Sequence, residues 1–378
     1  MIPWITAEML APETLSVVSV GGAPRDFVGW QRALQRQLTK TPALYDAFTS
    51  AALTTAVWSV RDRADDLNLT AATKAGPHAL RIRPVFGPAG DVHAVRLWLG
   101  PARTAISEPR PAVGAIWDLA SQTIVVPSGI TELTGIAPEE YTPRMSIAEL
   151  FHRVSAFDRH GEVLDLLYDP RPGKKLQFEA TVTDAAGRSG RWLITIRARD
   201  DNRARGAWLL IEDVTTGQLS TQGPALEWVG LREAHRRAGT HLAVVHLEHS
   251  AISHWLTDPA PWVRWDYLFH PGDVFHPRDQ TRLRDLSDRV RAGYTAGATV
   301  RTLDYEGGYA PTSLLLYPYP GFSTQPFAIV QFVRAAEEFS VSEPIADPRD
   351  ELDTGPPIGY DEQLRHRMTC RMRRSVLQ

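Results

Sequence analysis

The chain has 378 residues, 43% of them hydrophobic and 22% charged, with a formal net charge of −3. That length exceeds what one hydrophobic core usually serves, so two or three domains are expected, and the near-neutral balance supplies no general attraction to nucleic acid or anionic membrane. A single cysteine, Cys370, excludes internal disulfides and any multi-cysteine metal site.

Of the 41 basic residues only Lys40, Lys74, Lys174 and Lys175 are lysines. The arginines are scattered, which reads as the coding bias of a GC-rich genome rather than as phosphate recognition. The opening stretch MIPWITAEMLAPE has no basic segment followed by an apolar core, so no secretory signal is expected. No apolar run approaches the ~20 residues needed to span a bilayer, and a cytoplasmic location without membrane insertion is the expectation.

In chain order, residues 15–20 read as a strand ended by Gly21 and Gly22. Residues 27–38 read as a helix, with Phe27, Trp30, Ala33, Leu34 and Leu38 near a 3.6-residue period. Residues 43–52 read as a second helix leading into a strand at 56–60. A hairpin then follows, 78–86 with 92–99, and the proline-containing stretch 100–111 reads as a linker.

The middle of the chain is clearest. Residues 114–119 and 123–126 form a short hairpin, and helical pieces broken by Gly135, Pro138 and Pro143 follow. Asp158 suits the N-cap of a helix burying Val163, Leu164 and Leu167. Leu176, Phe178, Ala180 and Val182 alternate with polar residues, the turn spans 184–188, and Trp192, Ile194 and Ile196 alternate with Leu193, Thr195 and Arg197. This pattern predicts strands with one face buried and one wet. Strand 205–213 closes the sheet. The last third repeats the order: strands 242–246 and 251–255, a helix capped by Asp279 with Leu283, Leu286 and Val290 on one face, and strands 298–305, 311–319 and 326–334. Closing strands end at Leu99, Asp213 and Val333, spacings of 114 and 120 residues (213 − 99; 333 − 213) that predict three tandem modules of one architecture.

The middle module carries specific residues: 114–118 (GAIWD), Leu133-Thr134-Gly135, 138–141 (PEEY), Phe157-Asp158, 187–192 (GRSGRW) and 212–215 (EDVT). In that order they resemble the PAS sensor family. The last group resembles its terminal D-[IV]-T motif, whose Asp and Thr tie the sheet to the outgoing linker. The third module shares the layout and has 276–279 (HPRD) but lacks the terminal motif, and the first matches in layout alone. The whole chain is similar to stand-alone triple-sensor proteins without an output domain. The resemblance implies an α+β chain of three tandem PAS-like domains, each a five-stranded antiparallel sheet with flanking short helices: residues 1–108, 109–222 and 223–336, followed by a mobile tail at 337–378. It implies a cavity between sheet and helices, which Trp117, Tyr141, Phe151, Phe178 and Trp192 would line; the plainer reading is that these aromatics fill a core. Asp213 and Thr215 would couple the sheet to the segment entering the third module.

Other chemistry finds little footing. Flavin photochemistry in this fold needs a cysteine at the ring, and Cys370 lies in the tail. His152 stands roughly where an axial haem ligand would, although a partly exposed helical histidine is commoner. The last module holds His241, His246, His249, His254, His270 and His276 with Asp273 and Asp279. Their spacing fits no HExxH, and on a strand His246 and His249 would face opposite ways, so surface and cap roles are expected. There is no Walker A loop, dinucleotide turn, nucleotide-cyclase or kinase signature, or GxSxG. The basic cluster 365–374 lacks interleaved aromatics and reads as a solvated tail. The expectation is a non-enzymatic signalling protein with no catalytic residues, no metal and no resident cofactor. It would sense a small ligand or partner, act through a signalling protein that supplies the output, and be compatible with homodimerisation. The alternatives are a ligand-free scaffold and a haem- or metal-dependent sensor or enzyme.

Overall fold

The structure, a computed structural model, describes residues 3–40, 44, 47–156, 159–184, 187–201, 204–216, 226–266, 271–320 and 326–335. The expected cap Asp158, the turn residues 185–186, His270, Cys370 and the tail 337–378 lie outside the described residues.

Three antiparallel sheets follow one another along the chain. The first contains β1 (Ile5–Glu8), β2 (Ser16–Val20), β3 (Ala23–Gly29), β4 (Leu67–Thr73), β5 (Gly76–Phe86) and β6 (Val92–Pro101) in the order β3-β2-β1-β6-β5-β4. The second contains β7 (Ala112–Asp118), β8 (Thr123–Val125), β9 (Arg144–Ser146), β10 (Val154–Ala156), β11 (Lys175–Thr183), β12 (Ser189–Asp201) and β13 (Ala204–Asp213) in the order β10-β11-β12-β13-β7-β8-β9. The third contains β14 (His241–His246), β15 (Ala251–Trp255), β16 (Ala296–Leu303), β17 (Tyr309–Pro318) and β18 (Phe327–Arg334) in the order β15-β14-β18-β17-β16. All three share one circuit: first and last strands pair at the centre (β1 with β6, β7 with β13, β14 with β18), the second strand lies outside the first, and the two strands before the last lie outside it. The expectation of five strands holds for the third sheet. In the first, β3 adds an edge; in the second, β9 and β10 extend both edges, so these sheets have six and seven strands.

The hairpins at 78–86/92–99 and in the later modules stand where alternation and turn residues place them. Two assignments in the first module are overturned. Residues 56–60 are not a strand: they belong to the helix α2 (Ser50–Arg63), whose N-cap Thr49 accepts a hydrogen bond from the Ala52 amide at 3.1 Å, so most of the predicted helix 43–52 precedes the real one. Leu53, Val57 and Val60 are the buried side chains of α2, spaced for one helical face; the β-branched Val57 and Val60 are tolerated because packing outweighs propensity. The helix expected at 27–38 begins later, as α1 (Trp30–Lys40), because Phe27 sits in β3 at φ +45°. Its ring lies beneath Lys175 Nζ (4.7 Å) and the Arg197 guanidinium (4.9 Å) of the middle module. A tertiary contact, not helical period, places that aromatic.

In the middle module α3 (Ile147–Arg153) starts at Ser146, whose Oγ accepts from the Glu149 amide at 3.1 Å, and α4 (His160–Tyr168) buries Val163, Leu164 and Leu167 as expected. Before the third sheet comes a helix the sequence reading missed, α5 (Leu226–Ala238), which buries none of its side chains. The last helix, α6 (Pro277–Arg291), is capped by His276 rather than Asp279; Nδ1 of His276 accepts from the Arg278 amide at 3.2 Å. Asp279 instead clamps Arg301 through both carboxylate oxygens, at 2.9 and 3.0 Å.

The expected wet face of the middle sheet is covered along β12 and β13, while on β11 Lys175 and Glu179 keep it exposed. Leu193 and Thr195 are 1% and 0% exposed, because the outer face of β12 and β13 packs against the outer face of the first sheet. Leu10, Val18, Phe27, Val85 and Ala94 of the first module meet Leu210 there. Polar groups lie in the same joint. Glu8, fully buried, takes the Arg197 guanidinium at 2.6 Å, and Arg197 also reaches Ser16 Oγ at 3.2 Å. His93 donates from Nδ1 to the Leu209 carbonyl at 2.9 Å and stacks on Trp208 at 4.8 Å. Gly114 is what lets that imidazole in, since a Cβ there would stand 2.4 Å from the ring.

Replacing Arg197 with methionine strands the buried Glu8 carboxylate. Urea unfolding should show a loss of about 3 kcal/mol; a loss below about 1 kcal/mol would mean the pair behaves as an exposed bridge.

Candidate functional site

The five aromatics proposed from sequence share one core. Trp117, Phe151, Phe178 and Trp192 are buried members of the middle module's hydrophobic cluster, and Tyr141 packs against it. Trp117, on β7, donates from Nε1 to the Leu167 carbonyl at 2.9 Å and meets the Tyr168 ring at 5.7 Å. Trp192, on β12, donates from Nε1 to the Thr134 carbonyl at 2.8 Å. The Leu133-Thr134-Gly135 loop approaches β12 so closely that a Cβ at Gly190 would lie 2.4 Å from the same carbonyl oxygen. Tyr141 donates to the Val126 carbonyl at 3.3 Å, and burial raises its phenol pKa. Phe151, on α3, stands at the edge of this core, where its ring meets His160 and His254, each at 5.7 Å.

The 212–215 motif fastens the same 133–135 loop, with Asp213 standing opposite Trp192 in the sheet. Asp213 accepts from the Thr134 amide (2.8 Å) and the Thr215 amide (2.9 Å), and Thr215 Oγ1 accepts from the Arg191 amide at 2.9 Å. Burial disfavours the Asp213 charge, but these hydrogen bonds outweigh it and hold its carboxyl below the ordinary range. The segment leaving the first module is tied in as well: the Asp213 amide donates to the Pro111 carbonyl (2.9 Å), and Arg110 donates to the Thr215 carbonyl (2.9 Å). The hydrogen bonds of Asp213 and Thr215 thus join sheet, loop and incoming linker.

Glu212 points the other way, into the joint with the first module. One carboxyl oxygen accepts from Thr6 Oγ1 (2.7 Å) and Ser19 Oγ (2.8 Å). Burial pushes its pKa up, against the opposing pull of those hydroxyls and of Arg96. Adjacent motif residues are therefore pushed in opposite directions.

Sequence reasoning missed a second joint, between the helices of the middle module and the outer face of the third sheet. Val244 and Phe327 of the third module belong to the middle module's core cluster. The Tyr168 hydroxyl of α4 shares a hydrogen bond with Ser253 Oγ at 3.0 Å, and its ring stacks on His246 at 4.5 Å. His160 Nδ1 bonds the Tyr319 hydroxyl at 2.9 Å, and its ring lies 5.1 Å from His254. The expected surface role is wrong for His246, 1% exposed, and for His254, which burial and the neighbouring His160 and His152 hold down to about 3. The opposed orientation expected for His246 and His249 fails too. His249 follows the strand in a turn, its amide donates to His246 Nδ1 at 3.3 Å, and the two rings are 4.6 Å apart. A usable signal was present: in 241–246 (HLAVVH) both alternating sets carry apolar residues, as a strand buried on both faces requires. His152 is exposed, its ring 5.1 Å from Trp265. Among the described residues no group of three His, Cys, Asp or Glu side chains is arranged to hold a metal, and no helix is long and apolar enough to cross a membrane.

Residues 3–109 match the protein-family model described as Rv3651-like, N-terminal. A crystal structure of an uncharacterized protein from Mycobacterium tuberculosis superposes with TM-score 0.71 at 21% identity, covering 89% of this chain and 97% of that one. That likeness shows a shared fold across the described modules. An RNA-binding light-oxygen-voltage receptor (12% identity, TM-score 0.23, 59% of this chain and 95% of that chain) and the periplasmic sensory domain of the Campylobacter jejuni chemoreceptor Tlp1 (8% identity, TM-score 0.22, 48% and 57%) superpose too loosely to bear on the fold. No curated protein matches.

Two outcomes are expected. Asp213→Ala removes two charge-assisted bonds and should cost about 1–2 kcal/mol in chemical unfolding, with faster proteolysis near the 133–135 loop; unchanged stability would deny the motif its structural role. For Glu212, a raised folded-state pKa means a contribution present below the unfolded value and lost as pH rises through the folded one. Glu212→Gln should therefore gain on the parent chain as pH is raised from about 4.5 to 8, and a pH-independent difference would refute this.

Proposed function

We propose that the chain is a non-enzymatic, cytoplasmic regulatory protein of three PAS-like modules. The middle module receives a small ligand or a protein partner, and the flanking modules pass its state by contact to a signalling protein that supplies the output. The observation that carries this reading is the double grip on the middle module: its sheet is covered by the first module and its helices by the third. A change in its core would have to register at one joint or the other, since packed interiors do not deform continuously. The shared strand circuit and the 212–215 motif support the PAS-like assignment. The five aromatics Trp117, Tyr141, Phe151, Phe178 and Trp192 are the ligand-facing candidates.

A ligand-free scaffold is the second reading. It is favoured by the two indoles: Trp117 and Trp192 are 1% and 0% exposed and spend their N–H groups on protein carbonyls. Native mass spectrometry of gently purified full-length protein, beside the denatured mass, separates the two. Extra mass that is lost on denaturation supports the sensor, and its value distinguishes an organic ligand, a metal or haem, and a second chain. Bare monomer mass, with no thermal stabilisation by small-molecule pools, supports the scaffold.

A further inference from the structure

The joint between the middle and third modules brings imidazoles together from both sides. His160 comes from α4; His254 comes from β15, and His246 and His249 from the end of β14 and its turn. The His160 and His254 rings are 5.1 Å apart, and the Phe151 ring lies 5.7 Å from each. His246 is sandwiched by Tyr168 at 4.5 Å and Phe327 at 4.7 Å. The other groups that face these rings are few. His152 on α3 adds a further positive influence on His254, Tyr319 bonds His160, and His249 feels Glu248 and Arg205 with opposite signs. The carboxylates of the two facing helices have partners already: Glu149 pairs with Arg153 at 3.4 Å, Glu162 pairs with Arg159, and Asp165 pairs with Lys174 at 2.8 Å.

We infer that this joint is a proton-operated latch: the third module docks on the middle one with neutral imidazoles and is released when they take up protons. Two cations about 5 Å apart in an apolar seam repel, and each loses hydration there. Burial holds His160 down to about 4 and His254 down to about 3, against an ordinary histidine near 6.5. The sign follows from linkage. Docked-state values below the free value leave docking intact above about pH 6.5 and weaken it as pH falls toward the docked values. At pH 5, each imidazole freed on opening shifts the open-to-docked ratio by about thirtyfold relative to neutral pH. The latch gives the proposed relay a chemical input. It is read without any ligand or output partner, so its failure would leave the relay reading standing.

The test is hydrogen–deuterium exchange of the full-length chain between pH 7.5 and 5, corrected for intrinsic exchange rates. Peptides from α4 and β14–β15 should exchange at least about thirtyfold faster at pH 5, while those from β5–β6 of the first module stay unchanged. In the His160→Gln/His254→Gln chain the acid response should flatten. Carbon-13 histidine NMR of the parent chain provides a readout independent of that variant: two imidazoles should stay neutral until the joint peptides open. No acceleration at the joint, acceleration spread evenly over all three modules, or buried imidazoles that titrate near 6.5 without opening would each overturn the latch.

Discussion

The central strands of the middle sheet, β12 and β13, are buried on both faces, and the arrangement of the modules depends on that constraint. An antiparallel sheet in an isolated domain of this kind keeps one face in water. Here β12 and β13 give their inner face to the core of α3 and α4 and their outer face to the first sheet. The first module must therefore turn its own sheet inward, leaving α1 and α2 on its far side. The third module is then left the helical face of the middle one, which it covers with β14, β15 and β18. The layers run helix, sheet, sheet, helix, sheet, helix.

The two joints are chemically unlike. The first mixes apolar contact with a buried ion pair, Glu8 with Arg197, and with the Glu212 carboxyl held by Thr6 and Ser19. A buried ion pair adds less to stability than to register, because desolvation offsets most of its attraction. It suits an interface that is built once and kept. The polar groups bonded across the second joint are imidazoles, phenols and the Ser253 hydroxyl. His160 and His254 are neutral at physiological pH and gain charge only well into the acid range, which suits an interface that opens on acidification. The 212–215 motif lies between the two roles, with Glu212 facing the first module while Asp213 and Thr215 fasten the sheet to the linker that arrives from it.

Much of the fold was legible because strands announce themselves by alternation. β11 follows the expected pattern residue by residue, and the paired closing strands of all three modules fall near the predicted positions. Errors arose where tertiary contact overrode local pattern. Phe27 fitted a helical period but was drawn into the joint under Arg197, and the run Ala56–Val60 fitted a strand but had its apolar residues at helical spacing with Leu53. α5 was invisible because it buries none of its side chains. The aromatic core was legible from Trp117 and Trp192. The histidine joint was not, since burial supplied by a different module leaves no period in the strand that receives it. Only the two-sided apolar character of 241–246 hinted at it.

The central claim is that the modules are mutually buried parts of one unit rather than beads on a string. Differential scanning calorimetry of the full chain at pH 7.5 tests it most directly. Shared joints predict one cooperative transition whose calorimetric and van't Hoff enthalpies agree. Separate transitions, with the third module melting independently of the middle one at neutral pH, would contradict the account.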